Sequence, residues 1–172
     1  MEIADLHEGN RDAWNRTSRG GYGCDVAKDV ALIRSGGTNL MPAELRLLGD
    51  LSGVDRAIHL QCSHGLDALS LLSLGAREVV GIDISEEMIA LAREKSDALG
   101  ARARWIRADV LDAPHDLDGT ADLVHTGRGA LPWMMDLDAW ARVVARLLRP
   151  GGRVHLLEGH PLDSLWREDA ER

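Results

Sequence analysis

Two cysteines, Cys24 and Cys62, are all that the 172-residue chain contains, too few for the disulfide framework of a small secreted scaffold. A reducing cytoplasm is therefore the expected setting, and no charged-then-apolar leader argues against it. No apolar run approaches the roughly 20 residues that span a bilayer, so no membrane partner is expected. Positive charge is also scarce: 20 Lys and Arg face 28 Asp and Glu, a formal net charge of -8. The basic residues are scattered, and nearly all are arginine. Phosphate backbones are bound by clustered cations, so a nucleic-acid partner is not expected. Among the seven histidines, no His/Cys pair at zinc-ligand spacing has a second pair to match it, so the expectation for metal is none. Internal repeats and low-complexity tracts are missing too.

What remains is an ordinary globular composition, 45% hydrophobic and 28% charged. It suffices for one domain that buries roughly 70% of its unfolded surface. From residue 57 onward, short apolar runs alternate with longer periodic ones. Residues 57–60 read as a buried strand, followed by a helix over about 66–75 that Gly75 closes. Residues 79–82 are a second strand. Ser85 then caps a helix whose first turn places Glu86 and Glu87 at the positive end of the dipole. Met88, Ile89, Leu91, Ala92 and Leu99 form its apolar face, and Gly100 ends it. Further strands fall at 103–106, 121–125 and 153–157, with a helix at about 137–148 that stops at Pro150-Gly151-Gly152.

Strands separated by helix-length segments pair in parallel through right-handed crossovers. The pattern predicts an α/β fold, a Rossmann-like doubly wound sheet of about five strands over residues 57–172. Residues 1–56 carry no strand signal, and glycine-rich stretches at 19–23 and 35–38 flank a short helical run. This segment reads either as an N-terminal lid or as a mobile tail; for the lid, Trp14 and Tyr22 are costly to leave wholly exposed.

In open parallel sheets, ligands bind beyond the carboxyl ends of the strands. Those positions hold Gln61, Cys62, Ser63, His64 and Gly65 after the first strand and Asp83 after the second. Asp109 follows the third strand, Thr126 and Gly127 the fourth, and Glu158 to His160 the fifth. Asp83 lies about 18 residues beyond Gly65, near the ~20 that suits a carboxylate on ribose hydroxyls. Asp109 is placed to accept from the amino group of an adenine, and Val110 to offer a backbone N–H to a ring nitrogen. A nicotinamide dehydrogenase would also use Asp83. However, no G-x-G-x-x-G follows the first strand, and Gln61 crowds the point where a pyrophosphate must approach.

The segments HLQCSHGLDALSLLSLGA, VVGIDIS, RADVLDAP, DLVHTGRGALPWMMDL and LLRPGGRVHLLEGHPL occur in that order. As an ordered set they resemble the class I S-adenosylmethionine-dependent methyltransferases. The likeness is greatest to a bacterial small-molecule branch whose first loop reads LQCxxGLDxLSL in place of DLGCGTG, and it covers roughly residues 10–165. It implies S-adenosyl-L-methionine as cofactor, S-adenosyl-L-homocysteine as product, and a small-molecule acceptor methylated at oxygen or nitrogen, as in bacterial secondary metabolism. By position His59 replaces the usual acid, Gln61 the first glycine and Ser63 the second, while Gly65 keeps the third. His64 departs from the branch, which usually has an aromatic there.

The resemblance further implies cofactor contacts from Gln61, Cys62, Ser63, Gly65, Asp83, Ile84, Met88, Asp109, Val110, Thr126 and Gly127. Trp14, Asn15 and Tyr22 resemble a segment that closes over the cofactor, where an aromatic face near a sulfonium gains about 0.5–2 kcal/mol. Trp133 and Met134 would be pocket or core residues. His160 is the candidate general base, with His125 and His64 behind it. The class continues past its fifth strand with a helix and an antiparallel hairpin, whereas about a dozen residues follow Pro161 here. The fifth strand is therefore expected as an exposed edge, and three explanations stand open: the chain is a fragment, a second copy covers the edge, or Trp14 and the N-terminal region fold back over it. A non-catalytic cofactor-binding or partner subunit is the alternative function.

Overall fold

A computed structural model of the chain describes residues 2–21 and 24–160. Tyr22 and the residues from Pro161 onward lie outside the described residues. The elements run α1 (Ile3–Arg19), α2 (Val26–Arg34), α3 (Pro42–Leu48), β1 (Arg56–Leu60), α4 (Leu66–Ser73) and β2 (Glu78–Asp83). They continue with α5 (Glu86–Leu99), β3 (Ala103–Arg107), β4 (Ala121–Gly127), α6 (Leu137–Leu147) and β5 (Leu148–Leu157). All strand pairs are parallel, in the order β3-β2-β1-β4-β5. The order reverses beside β1, which makes this the doubly wound sheet that the alternation of elements predicts.

The two faces follow from strand parity. Ile58, Leu60, Val80, Ile82 and Val124 point to one side and pack with Trp140, Val143, Val144 and Leu147 of α6. Ala57, Val79, Trp105 and Leu123 point to the other, against Leu48 of α3, Leu69 and Leu71 of α4, and Ile89 and Ala92 of α5. Central strands buried on both faces read as unbroken apolar runs, which is why β1, β2 and β4 are legible as strands. Gly81 interrupts β2 for a packing reason. A Cβ there would sit 2.3 Å from Cζ3 of Trp105 and 2.8 Å from Sγ of Cys62. The indole thus lies flat against the strand, and its Nε1 donates to Ser96 Oγ at 2.9 Å.

Ser85 caps α5 as its sequence position predicts, its Oγ accepting from Met88 N at 3.1 Å. Gly100 ends that helix in the left-handed region at φ 61°. Two boundaries move. Helix α4 closes at Ser73, with Leu74 as its C-cap, and Gly75 continues the turn at φ 109°. Helix α6 stops at Leu147 because Leu148 already pairs with Ala121 of β4, and the Pro150-Gly151-Gly152 turn falls inside the irregular start of β5.

The N-terminal segment forms three helices rather than one, and α1 packs along α5. Among the described residues β5 is a sheet edge, with Val154 and Leu156 exposed on it. No described helix is long and apolar enough to cross a membrane.

Candidate functional site

The carboxyl ends of β1 to β4 open into a cavity of about 480 Å³, within the range of small-molecule sites. Its floor is the loop after β1. Gln61 and Ser63 adopt φ 53° and 49°, and Gly65 adopts 79°. These are the positions at which the resembled class carries glycine, so two side chains here occupy left-handed backbone at roughly 1–2 kcal/mol each.

The surrounding contacts hold that strained loop. Cys62 N donates to Ile82 O at 3.0 Å, and Gly65 N to Cys62 O at 2.9 Å. Ser63 N donates to Asp83 Oδ2 at 2.7 Å, and Gln61 Nε2 to Ala130 O at 2.8 Å. Lys95, fully buried, places its three N–H groups on Asp29 Oδ2 (2.7 Å), His64 Nδ1 (2.6 Å) and His64 O (2.9 Å). The His64 ring therefore accepts at Nδ1 and carries its proton on Nε2. Burial first, and the Lys95 charge second, hold its pKa below the ordinary value.

Asp83 ends β2 with a buried carboxylate on the cavity wall. Oδ1 accepts from Ser85 N at 2.9 Å and Oδ2 from Ser63 N at 2.7 Å. Burial pushes its pKa up, opposed by the N–H groups of Ser85, Ser63 and Ile84. A carboxylate offers about four lone-pair positions, so acceptor capacity remains for a ligand. Asp109 ends the next strand's loop and also lines the cavity. Its Oδ1 accepts from Leu111 N at 2.9 Å, while Oδ2 lies 2.5 Å from Nδ1 of His7. The other His7 nitrogen, Nε2, accepts from Met135 N at 3.3 Å. That contact fixes the tautomer, because Nδ1 must then carry the proton it gives to Asp109.

His7, Asn10 and Trp14, spaced by three and four, form one face of α1 and close the cavity from above. Asn10 Nδ2 donates to Trp133 O at 3.0 Å, and the Trp14 and Trp133 rings meet edge to face at 5.3 Å. Arg11 reaches Glu86 at 2.7 Å and Arg19 reaches Glu87 at 3.0 Å. The acids that favour the α5 dipole thus also hold α1 in place.

On the opposite wall Arg128, at φ 58°, donates to both oxygens of Asp67 (2.9 and 3.0 Å) and to Asn39 O (3.1 Å). Glu158 accepts from three successive N–H groups, those of Gly129, Ala130 and Leu131, at 2.6 to 2.9 Å. This nest fixes the loop after β4.

Most of the sequence-predicted residues converge here: Trp14, Gln61, Cys62, Ser63, Asp83, Ile84, Met88, Asp109, Val110 and Gly127 all line the cavity, with Trp133 and Met134. Four differ. Gly65 faces the interior, where a Cβ would meet Trp105 Cη2 at 2.6 Å and Ala92 Cβ at 2.7 Å. Thr126 is 0% exposed and stands behind Gln61, 3.4 Å from its Oε1. Asn15 turns away to accept from Ser85 Oγ at 2.7 Å. His160 is exposed and outside the cavity lining. Tyr22 lies outside the described residues.

Of the reserve bases, His125 is buried away from the cavity and its pKa is pushed down to about 2, chiefly by burial. Sequence reasoning missed His7, Asn10, Asn39, Asp67 and Arg128. Only the helical spacing of the first two with Trp14 could have signalled them.

A family profile described as a methyltransferase domain matches residues 57–152. The demethylmenaquinone methyltransferase of Thermus thermophilus is 38% identical over 84 residues, 49% of this chain and 37% of that protein. The ubiquinone/menaquinone biosynthesis C-methyltransferase of Idiomarina loihiensis is 35% identical over 116 residues, 63% of this chain and 45% of that protein. A solved S-adenosylmethionine dependent methyltransferase from Mesorhizobium loti superposes with a TM-score of 0.61 at 29% identity, over 70% of this chain and 53% of that one. The chain spans about half the length, or less, of the curated relatives it matches.

Proposed function

The chain belongs to the methyltransferase domain family, and we propose that it transfers a methyl group from S-adenosyl-L-methionine to a small aromatic acceptor. One observation carries this reading. The buried Asp83 carboxylate and the left-handed residues Gln61 and Ser63 face one cavity at the switch in strand order, and Gly65 closes their loop from the interior side. When bound, the cofactor supplies an electrophilic methyl on a sulfonium, and S-adenosyl-L-homocysteine is released once the acceptor has taken it.

The residues present fit that group. Asp83 would accept from the ribose hydroxyls, and charge-assisted bonds of this kind contribute about 1.5–3 kcal/mol each. Asp109 and Val110 would meet the adenine, and the loop from Gln61 to Ser63 the methionine end. The His7 proton on Asp109 Oδ2 competes with an adenine amino group for that oxygen, so His7 must shift or share it.

Catalysis in this reading is positioning with exclusion of water, an effect able to supply about 7–11 kcal/mol. Three histidines among the described residues line the cavity, and none is a free base. His7 and His64 have their acceptor nitrogens occupied, by Met135 N and Lys95 Nζ. His59 is pushed down to about 3 by burial, with Arg128 and His155 adding to the effect. An acceptor that is already nucleophilic, such as an amine, a thiolate or an ionised phenol, suits such a site. The names of the Thermus and Idiomarina relatives refer to quinone biosynthesis, and the Trp14, Trp133 and Met134 walls suit a small ring.

Transfer of labelled methyl to a panel of phenols, quinols, amines and thiols tests the reading. Product on any member supports it, and none across the panel, despite firm cofactor binding, would favour a non-catalytic subunit. The exposed Val154 and Leu156 on the β5 edge are the observation behind that second reading.

A further inference from the structure

The strand register builds a second polar centre behind the cavity. His59 on β1 stands opposite His125 on β4, and His125 opposite His155 on β5. The first two rings meet edge to face at 4.6 Å, and the second two stack at 4.9 Å with 16° between their planes. Nδ1 of His125 and Nδ1 of His155 are 3.0 Å apart. Glu44 of α3 completes the cluster, its Oε1 3.8 Å from His125 Nε2 and its Oε2 accepting from Met41 N at 2.8 Å. All four side chains are buried, Glu44 and His125 to within 1% of exposure.

This arrangement is poor in protons for its lone pairs. Four buried side-chain polar atoms among the described residues have no hydrogen-bond partner, and three belong to this cluster: Glu44 Oε1, His59 Nδ1 and His155 Nε2. A buried polar atom left unmade is costly, and chance does not gather three at one spot. The nearby arginines are engaged elsewhere, Arg153 with Leu48 O and Arg128 with Asp67 and Asn39. A cation would give Glu44 Oε1 a partner, together with imidazole nitrogens of His125 and His155.

One donor atom each from Glu44, His125 and His155 lies within 4.8 Å of the other two. A tetrahedral ion with bonds of about 2.0–2.1 Å sets its ligands about 3.4 Å apart. His125 Nδ1 is 3.0 Å from His155 Nδ1, and its other nitrogen, Nε2, is 3.8 Å from Glu44 Oε1. One ion takes one of those two nitrogens, and the 4.8 Å spread of the donor set closes by a side-chain shift.

We infer that Glu44, His125 and His155 bind one divalent transition-metal ion of the zinc class, in a structural site that ties α3 to the β4–β5 side of the sheet. Two imidazoles and a carboxylate suit zinc and cobalt over magnesium and calcium, which favour all-oxygen shells. The three ligands lie outside the cavity lining, and only His59 borders both places. The ion would therefore brace the wall beneath the cavity instead of meeting an acceptor. Its ligands come from residues 44, 125 and 155, so no short sequence spacing announces it. The inference stands independently of the methyl-transfer reading.

The test uses the purified chain, stripped with a chelator and shown to be folded by far-UV circular dichroism. It is titrated with Co²⁺ and followed by visible d–d absorption, then challenged with Zn²⁺. The expected result is one Co²⁺ per chain with micromolar or tighter affinity, displaced by Zn²⁺. Glu44→Gln and His155→Gln should each weaken it tenfold or more. Zn²⁺ should also raise the unfolding midpoint of the unaltered chain and of Cys24→Ser, but of neither ligand variant. Failure of the folded chain to bind Co²⁺ stoichiometrically overturns the inference. So does undiminished binding by both ligand variants together with loss in Cys24→Ser. That result would move the ion to the group of Cys24, Asp29 and His64.

Discussion

Gly65→Ala puts the loop geometry under the most direct strain. Gly65 sits at φ 79°, a conformation that costs an L-residue about 1–2 kcal/mol. An added Cβ would also lie 2.6 Å from Trp105 Cη2, 2.7 Å from Ala92 Cβ and 2.9 Å from Trp105 Cζ3. Over-packing of that kind costs about 1–3 kcal/mol. Together the two effects give about 2–5 kcal/mol, a fall in Tm of roughly 4–20 °C for a chain of this size.

Urea unfolding measures the loss, and a double-mutant cycle divides it. Trp105→Leu removes the ring that the new methyl strikes but leaves the backbone strain and the Ala92 contact untouched. In that background the substitution should cost less, by part of the about 1–3 kcal/mol of over-packing. A total cost below about 1 kcal/mol, or the same cost in both backgrounds, would refute the packing described for this loop.

Ser63 at φ 49° leads to the opposite expectation. Ser63→Gly relieves the strain, so its stability should change by less than about 1 kcal/mol in urea, whereas Ser63→Val should destabilise clearly. Lys95→Met leaves Asp29 buried without its cation, and the same assay should show a loss of about 3–5 kcal/mol. Ser85→Ala removes both the cap on Met88 N and the bond to Asn15. It should cost about 1–2 kcal/mol and loosen α1, read as faster amide exchange in α1. Asp83 has a pKa raised by burial, so the native chain binds this proton at higher pH than the unfolded chain does. Its contribution to stability therefore grows as pH falls through the raised value. Affinity for a ribose should fall over the same range, above the ordinary carboxylate pKa, and titrations from neutral to mildly acidic pH would show it.

The fold was legible in the sequence wherever one element carried its own signal. Buried parallel strands gave apolar runs at 57–60 and 79–82, and Ser85 and Gly100 marked both ends of α5. The end of α6 was not legible, because it depends on Leu148 pairing with a strand 27 residues away. Position after a strand was enough to single out Asp83 and Asp109. It failed for Thr126, whose side chain is buried behind Gln61. The Arg128–Asp67–Asn39 contacts, the Glu158 nest and the histidine ladder join residues far apart in the chain. They exist only because sheet order and register bring them together.

Calorimetric titration with S-adenosyl-L-homocysteine, on the unaltered chain and on Asp83→Asn, bears most directly on the cofactor assignment. The expected result is one site per chain with micromolar affinity, weakened by the substitution tenfold or more, about 1.4 kcal/mol. No binding by the folded, unaltered chain, or equal binding by the variant, would contradict it.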